Sequence, residues 1–380
     1  TSTERIEVLR GPLAQLYGNA AGGVIQTFTR EAPIDPELLV QAYMGSYGLR
    51  RTDWQYAQKV GQFGLVADYS TFKTDGFRQN SQAERNQFNG KLTYDHDEKT
   101  RVSFMANVFD MPYAYDPQGL SSVATALGAP KTTISPSSYR DRKEVKQSQV
   151  GALITHKVDV DTEVNFRVYD GNRKMLAYTG TTSNSNKWQD LNRDYYGVGL
   201  DVGSKLLVHQ MPLYWKAGVN FDRSAEANMQ GDAVGGEKTI ASPTSNKNQT
   251  AQNMDGFFQG NIFLSERFSL LAGARATTVE LRASSVQPTQ ASTGNLGSVT
   301  YRAINPVFGG TYYLFDNVNL FANYGRGFET PTLTEIGYTK VLSGANYIPV
   351  VGFNTDLKAS RSNHYEAGMK WLPNQTSRID

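Results

Sequence analysis

The sequence predicts an all-β protein, a transmembrane antiparallel β-barrel, and three observations support this prediction. Tight turns and long polar loops alternate strictly along the chain from about residue 50 to residue 378. The segments between them alternate apolar and polar residues with a period of two. Several of these segments exceed the usual length of strands in soluble sheets. Outer-membrane barrels combine these properties, with short turns on the periplasmic side and long loops outside the cell.

The segment 213–222 shows the alternation most clearly. Its odd-numbered residues are apolar or aromatic, whereas its even-numbered residues include Lys216, Asn220 and Asp222. The same pattern recurs in segments 163–168, 195–202 and 268–275. A tilted strand needs about 9 to 11 residues to cross the hydrocarbon. The uninterrupted segments 140–157, 190–207 and 298–315 exceed that length, which favours a membrane barrel over a sandwich.

The predicted connections fall into two sets. The tight turns are 61–62, 95–99, 159–161, 209–212, 265–267, 316–317 and 373–376, and they contain residues that reverse a chain at low cost. The long polar loops are 74–83, 114–138, 179–187, 224–250, 284–298 and 327–361. Because the two sets alternate, all long loops are expected at one end of the barrel.

Composition excludes several classes of protein. Hydrophobic residues make up 39% of the chain and no apolar run approaches 18 residues, so helical membrane spans are excluded. The absence of cysteine excludes disulfides and thiol chemistry. The 38 basic and 36 acidic residues nearly balance, which argues against general nucleic-acid binding. The four histidines lack metal-ligand spacing, so no metal site and no cofactor are predicted: His96, His156, His209 and His364.

The first thirty residues carry a second pattern. Residues 4–12 (ERIEVLRGP) and 16–30 (LYGNAAGGVIQTFTR) predict two short strands joined by a tight turn and a compact Gly/Ala segment. This block resembles the end of the plug domain of TonB-dependent outer-membrane receptors, where an IEVLRGP…LYG…GGVIN sequence precedes the barrel. The positions assigned to the plug motif are Gly11, Pro12, Tyr17, Gly18, Gly22 and Gly23.

Two blocks near the other end also resemble this family. Residues 323–331 (NYGRGFETP) and 354–370 (NTDLKASRSNHYEAGMK) are similar to its Y(S)RGFRAP and NPDLKPE…YELGVK barrel sequences. Thr355, Ala359 and Ser360 depart from the family pattern. The resemblance implies that residues 1–37 are the C-terminal part of a plug and residues 38–380 a partial barrel. Members have 22 strands and about 15 are predicted here, the last beginning near Ser377, so an internal part of a longer receptor is expected.

The resemblance also implies a function. Receptors of this family bind a scarce ligand, usually a ferric siderophore, at the extracellular face of the Gram-negative outer membrane. They import it when TonB, energised together with ExbB and ExbD, pulls on the plug, and iron enters only as the chelated substrate. Residues 113–120 are similar to a loop common among iron-complex receptors, which favours iron over vitamin B12 or an oligosaccharide. The expected partners are therefore an iron chelate, TonB and outer-membrane lipid, and not nucleic acid.

Two sets of site residues are predicted. The resemblance implies that Arg10 forms an ion pair with a glutamate of the barrel wall, which holds the plug in place. Alternation puts Glu366 on the lumen face, so it is the expected partner. The candidate ligand-binding residues at the extracellular rim, where they would stack on or pair with an anionic iron chelate, are Arg78, Tyr113, Tyr115 and Tyr139.

Rival functions remain open at this point. A barrel enzyme needs a nucleophile or a carboxylate pair grouped with a base at the rim, and no such grouping appears, so no catalytic residue is predicted. A soluble β-propeller uses short strands and lacks the one-sided loop pattern. A passive porin fits the hairpins but not the plug-like segment near the N-terminus.

Overall fold

The structure is a computed structural model. It describes residues 2–18, 22–120, 122–128, 141–180, 186–234, 237–285, 295–336, 340–343, 346–349 and 354–373. Among these residues, no helix combines the length and the apolar character that a membrane crossing requires.

The N-terminal residues form a small unit with its own sheet. Strands β1 (Thr3–Leu9) and β2 (Val24–Thr29) pair antiparallel, with Val8 opposite Ile25. A 3₁₀ helix, Pro12–Tyr17, follows β1 and has proline in its first turn. Gly11 precedes this helix with φ of 76°, a conformation that favours glycine. The predicted turn at Gly11 and Pro12 is therefore confirmed.

Among the described residues, fourteen strands form one antiparallel sheet in chain order, except that β18 pairs with β15 across the separate β16–β17 hairpin. The first seven are β3 (Glu37–Met44), β4 (Arg50–Val60), β5 (Phe63–Thr74), β6 (Ala83–Asp95), β7 (Thr100–Tyr115), β8 (Arg142–Lys157) and β9 (Thr162–Gly180). The others are β10 (Asn186–Val208), β11 (Met211–Val234), β12 (Glu237–Ser265), β13 (Phe268–Ser285), β14 (Asn295–Phe315), β15 (Val318–Glu329) and β18 (Ser360–Trp371). The fifteenth predicted strand lies outside the described residues.

Short elements occupy two of the long connections. Helix α1 (Val123–Gly128) lies between β7 and β8. Helix α2 (Leu333–Ile336) and the hairpin of β16 (Lys340–Ser343) and β17 (Asn346–Pro349) lie between β15 and β18. Tyr301 of β14 donates a hydrogen bond to the carbonyl oxygen of Leu357 at 2.8 Å. This long loop therefore folds back onto the sheet.

One predicted loop is wrong. The sequence pattern predicts a long polar loop over 224–250, whereas β11 continues to Val234 and β12 begins at Glu237. Ala225 pairs with Thr250 in the same register as the rest of the hairpin. Both faces of this part of the hairpin carry polar side chains. The sequence therefore loses its apolar alternation although the backbone pairing continues.

The two faces of the sheet have opposite character, as alternation predicts. Inward side chains are polar and enclosed, with Asp201 only 3% exposed and Asp255 only 4% exposed. Outward side chains are apolar and exposed, with Ile304 at 67% and Tyr365 at 78%. The aromatic residues Tyr94, Trp215 and Trp371 all lie near the tight-turn end of the sheet, where an interfacial girdle is expected. A continuous apolar exterior of this kind is expected of a protein surrounded by lipid.

Candidate functional site

The 3₁₀ helix Pro12–Tyr17 lies against the inner face of the sheet, in contact with β13, β14, β15 and β18. The approach is closest at Gly325, where a methyl group would lie 2.5 Å from the carbonyl oxygen of Pro12. Any larger residue at position 325 would therefore push the helix away from the wall. Gly18, with φ of 112°, brings the backbone to the guanidinium of Arg275. The plug-motif glycines Gly11 and Gly18 thus lie in the described contact with the wall, while the side chain of Tyr17 lies outside the described residues.

Glu366 lies where alternation places it, on the inner face beside the N-terminal segment. A methyl group at Gly11 would be 3.4 Å from its Oε2 atom. The predicted ion pair with Arg10 is nevertheless not among the ion pairs of the described residues, and the carboxylate of Glu366 accepts a hydrogen bond from Asn323 at 3.3 Å. Because Gly11 turns the backbone, the chain presents residue 11 to Glu366. The Arg10 side chain instead lies beside Gly23.

Arg275 of β13 and Asp255 of β12 form an enclosed ion pair within the wall, beside Gly18 of the N-terminal segment. Nη2 of Arg275 lies 2.6 Å from Oδ1 of Asp255, and the two side chains are 9% and 0% exposed. Asp255 also accepts hydrogen bonds from Asn220 at 2.8 Å and from Asn253 at 2.9 Å. Asn220 accepts in turn from Arg167, which pairs with Asp201 at 3.1 Å. A polar network therefore runs across the inner face from β9 to β13 and ends beneath Gly18.

A second set of contacts ties the segment after β2 to the tight-turn end of the wall. Lys91 lies 2.7 Å from the Glu31 carboxylate and 3.3 Å from the carbonyl oxygen of Thr29. Arg101 lies 3.4 Å from Glu31 and also pairs with Asp95 at 2.6 Å. These residues line a cavity of about 1030 Å³ between the N-terminal hairpin and the sheet.

Arg78, a predicted rim residue, contacts the neighbouring loop. Its Nη1 and Nη2 atoms donate to the carbonyl oxygens of Gln118 and Pro117 at 2.5 Å and 3.1 Å. Asn80 donates to the carbonyl oxygen of Asp116 at 2.8 Å. The loop after β5 is therefore bound to the loop after β7, so these donors of Arg78 are already engaged.

The predicted tyrosines have mixed surroundings. The Tyr113 hydroxyl donates to Glu84 at 2.9 Å, and the Tyr113 ring lies 5.5 Å from the ring of Tyr115. The two rings thus form a half-buried aromatic pair at the end of β7. Tyr139 lies outside the described residues.

Asp141 lies directly below these loops and is buried. It accepts hydrogen bonds from the Gln118 side chain and from the backbone N–H of Gly180. Burial, which penalises the charged form, nevertheless raises the pKa of Asp141 above its ordinary value, and nearby Asp116 adds to the increase.

Sequence reasoning missed an inner-face cluster on β8, β9, β10 and β11. Arg173 and Arg193 are directly opposite each other, and Tyr169 and Tyr195 lie toward the tight-turn end with their rings 6.4 Å apart. Arg193 pairs with Glu226, whereas Arg173 donates to the neutral amide oxygen of Gln147 at 2.8 Å. We call Gln147, Tyr169, Arg173, Arg193, Tyr195 and Glu226 the lumen cluster. Alternation places these residues inward, but only the cross-strand register brings them together.

The lumen cluster has the chemistry of an anion site. It holds two half-buried guanidiniums against one carboxylate, and guanidiniums bind carboxylate-like or phosphate-like oxygens in bidentate fashion. No group of three or more potential metal ligands occurs among the described residues.

The family assignment follows from a sequence comparison. The family described as "TonB dependent receptor-like, beta-barrel" matches residues 38–379. The chain belongs to the TonB-dependent receptor family. The family predicted from residues 4–30, 323–331 and 354–370 is thereby confirmed. In this TonB-dependent receptor the matched region begins at Leu38, the second residue of β3.

Solved structures show the same fold at low sequence identity. The unliganded ferric citrate transporter FecA has a TM-score of 0.80 and 18% identity over 96% of this chain and 54% of its own. The ferric-catecholate import receptor Fiu of E. coli K12, in its closed form, has a TM-score of 0.77 and 18% identity over 98% and 61%. The copper transporter OprC has a TM-score of 0.78 and 14% identity over 98% and 57%. The chain thus spans little more than half the length of these proteins.

Proposed function

We propose that this chain is part of an outer-membrane active transporter that binds a ferric siderophore at the extracellular face and imports it with TonB-transduced energy. In this proposal residues 1–37 are the end of the plug and residues 38–380 are barrel. TonB acts together with ExbB and ExbD, and the apolar exterior contacts outer-membrane lipid. The contact of Pro12–Tyr17 with the inner wall is the observation that carries the proposal, because a passive porin has no need of such a segment.

The lumen cluster is the proposed inner part of the ligand site. Ferric siderophores often carry net negative charge, which matches the charge excess of Arg173 and Arg193 over Glu226. Tyr169 and Tyr195 supply hydroxyl donors and ring faces beside them. Arg78, Tyr113, Tyr115 and Tyr139 remain candidates for the outer part, with Arg78 acting through the loop that it binds.

A second candidate is import of a metal complex other than ferric iron. The copper transporter OprC matches this chain with a TM-score close to that of FecA, so the fold alone does not select iron. A receptor for vitamin B12 or an oligosaccharide is a further alternative, but two arginines in the lumen cluster favour an anionic ligand.

Uptake measured in cells that express the receptor tests the proposal. Radioactive iron is supplied with citrate, catecholate or hydroxamate chelators, with and without a working TonB system. TonB-dependent uptake with one chelator supports the proposal and identifies the substrate class. Radioactive copper and cobalamin serve as parallel substrates, and TonB-dependent uptake of either instead of iron overturns the iron assignment. Uptake that persists without TonB overturns active transport.

The lumen cluster is tested with Arg173→Gln in the same assay. Loss of one charge-assisted contact is expected to weaken chelate binding roughly tenfold. Lys174→Gln on the outward face of the same strand is the matched control and should leave binding unchanged. Equal effects of the two variants would contradict the assignment of the site.

A further inference from the structure

Three arginines lie on the outward face of the sheet, beside the apolar exterior. On β14, β15 and β18 the outward residues toward the long-loop end include Ile304, Tyr324 and Tyr365. Two residues farther toward the long-loop end are Arg302 on β14 and Arg326 on β15. On β18, Arg361 lies four residues from Tyr365 in the same direction. The cross-strand register gives the outward direction at Tyr324 and Tyr365, since Asn323 and Glu366, opposite each other, face the lumen. Arg326 and Arg361 line the same exterior cavity as Ile304. We call these three residues the outer arginine cluster.

The outer arginine cluster has no partner within the part of the chain that the structure describes. All three side chains are exposed, and no hydrogen bond, ion pair or ring contact of a described residue involves them. The outward carboxylate nearest in the register, Glu280, pairs instead with Arg282 at 2.6 Å. The cluster thus carries three positive charges that no carboxylate of the described residues pairs with.

The three arginines border one cavity of about 660 Å³ on the exterior. Its remaining walls include the apolar side chains of Val219, Met254 and Ile304. The pairing between β14 and β15 stops at Val307 and Gly325, immediately below the cluster, so the two strands are no longer paired there. The cavity is therefore bordered by three cationic side chains at its long-loop end and lined elsewhere in part by apolar side chains.

Position and chemistry together select an occupant. An arginine at the border of the hydrocarbon is far less costly than one in its middle, and an anionic headgroup there offsets the remaining cost. Guanidiniums match phosphate oxygens in bidentate geometry, and the apolar side chains of the cavity suit acyl chains. We propose that the outer arginine cluster binds the phosphorylated headgroup of an outer-leaflet glycolipid, with an acyl chain on Val219, Met254 and Ile304. This inference goes beyond the transport function and rests on the outer-membrane location proposed above.

Native mass spectrometry of the receptor, released from detergent with added lipid, tests the proposal. The probes are bisphosphorylated lipid A, the same lipid without phosphates, and inorganic phosphate. The variants are Arg302→Gln, Arg326→Gln, Arg361→Gln and their triple combination. Lys146→Gln combined with Lys174→Gln is the matched control. These two outward lysines are opposite each other on β8 and β9, as the arginines are clustered, but Lys146 also has a carboxylate, Asp110, opposite it on β7.

We expect wild-type receptor to retain bisphosphorylated lipid A, and the triple variant to bind it at least about tenfold more weakly. Dephosphorylated lipid and inorganic phosphate should bind poorly, since each lacks one half of the recognised structure. Equal binding of both lipids, equal loss in the lysine control, or no loss in the triple variant would each overturn the proposal. Unchanged iron-chelate uptake by Arg326→Gln would separate the lipid site from transport, and failed uptake by the wild type would overturn only the transport function.

Discussion

Nη2 of Arg275 lies 2.6 Å from Oδ1 of Asp255, and the pair is enclosed on the inner wall directly beneath Gly18. Replacing Asp255 with Asn removes the carboxylate that faces the enclosed guanidinium of Arg275. Loss of one member of a buried pair costs about 3–5 kcal/mol. We therefore expect the free energy of unfolding, measured in detergent, to fall by about 3 kcal/mol or more. Hydrogen exchange of residues 12–18 should accelerate.

The control for this prediction is the exposed pair of Glu280 and Arg282, which has the same 2.6 Å separation. Glu280→Gln should cost less than about 1 kcal/mol. Adding Arg275→Gln to Asp255→Asn removes both buried charges and should recover part of the loss. Equal costs for Asp255→Asn and Glu280→Gln would contradict the role assigned to the enclosed pair.

Glu31→Gln should loosen the segment after β2 without unfolding the barrel. The substitution weakens contacts to Lys91 and Arg101, while the carbonyl oxygen of Thr29 still accepts from Lys91. Since Glu31 is largely exposed, global stability should fall by less than about 1 kcal/mol. The measurement is local hydrogen exchange of residues 28–32, expected to rise several-fold. Glu98→Gln, in the neighbouring turn, is the control and should change nothing in that segment.

Arg78→Lys separates a structural role from a charge role. Lysine keeps the positive charge but cannot donate at once to the carbonyl oxygens of Gln118 and Pro117. Because Arg78 binds the neighbouring loop, the Lys variant should expose residues 116–120 to exchange roughly tenfold faster. Its chelate affinity should fall as far as that of Arg78→Gln. Retained affinity in the Lys variant alone would show that the charge acts directly on the ligand.

The pH dependence of the rim loops should follow Asp141. Its pKa is raised in the folded protein, so folding favours the protonated carboxyl group. Its contribution to stability is therefore largest below the unfolded pKa, about 3.9, and declines as the pH rises through the folded value. Asp141→Asn should increase the protection of residues 114–118 at pH 7 and have little effect at pH 3. Protection factors corrected for intrinsic exchange measure this.

Asp97 supplies a control of opposite sign. The backbone N–H groups of Lys99 and Thr100 lower its pKa, so its contribution is present above the unfolded pKa and lost as the pH falls. Asp97→Asn should therefore weaken its turn at pH 7. The same direction of change in both variants would contradict the assigned causes.

Period-two alternation was sufficient to predict which residues face inward, because a strand has only two faces. Alternation predicts that Glu366 faces the lumen, and it lies there. The tight turns were also predictable, since their residues reverse the chain locally. The continuation of the β11–β12 hairpin beyond Ser224 could not be predicted, because strands that are polar on both faces show no alternation of apolar and polar residues.

Contacts between distant segments lay beyond the reach of the sequence. Alternation says that Glu366 faces inward, but not at which height the N-terminal segment meets it, and Gly11 rather than Arg10 is the residue presented. Arg78 stays a predicted ligand contact, but its hydrogen bonds to two backbone carbonyl oxygens could not be predicted, because backbone acceptors leave no trace in residue identity. The lumen cluster required the register between β9 and β10, which no single strand encodes.

The lengths of the strands give the wall an uneven height. β12 has 29 residues and extends about 95 Å along its own direction at about 3.3 Å per residue, whereas β3 to β6 have between 8 and 13 residues. A membrane crossing uses only about 10 of them. The strands β10–β12 therefore extend far beyond the membrane-crossing part of the wall, whereas the strands β3–β6 extend little beyond it. If the proposed function holds, a large chelate has a shorter path into the lumen over the β3–β6 side than over the β10–β12 side.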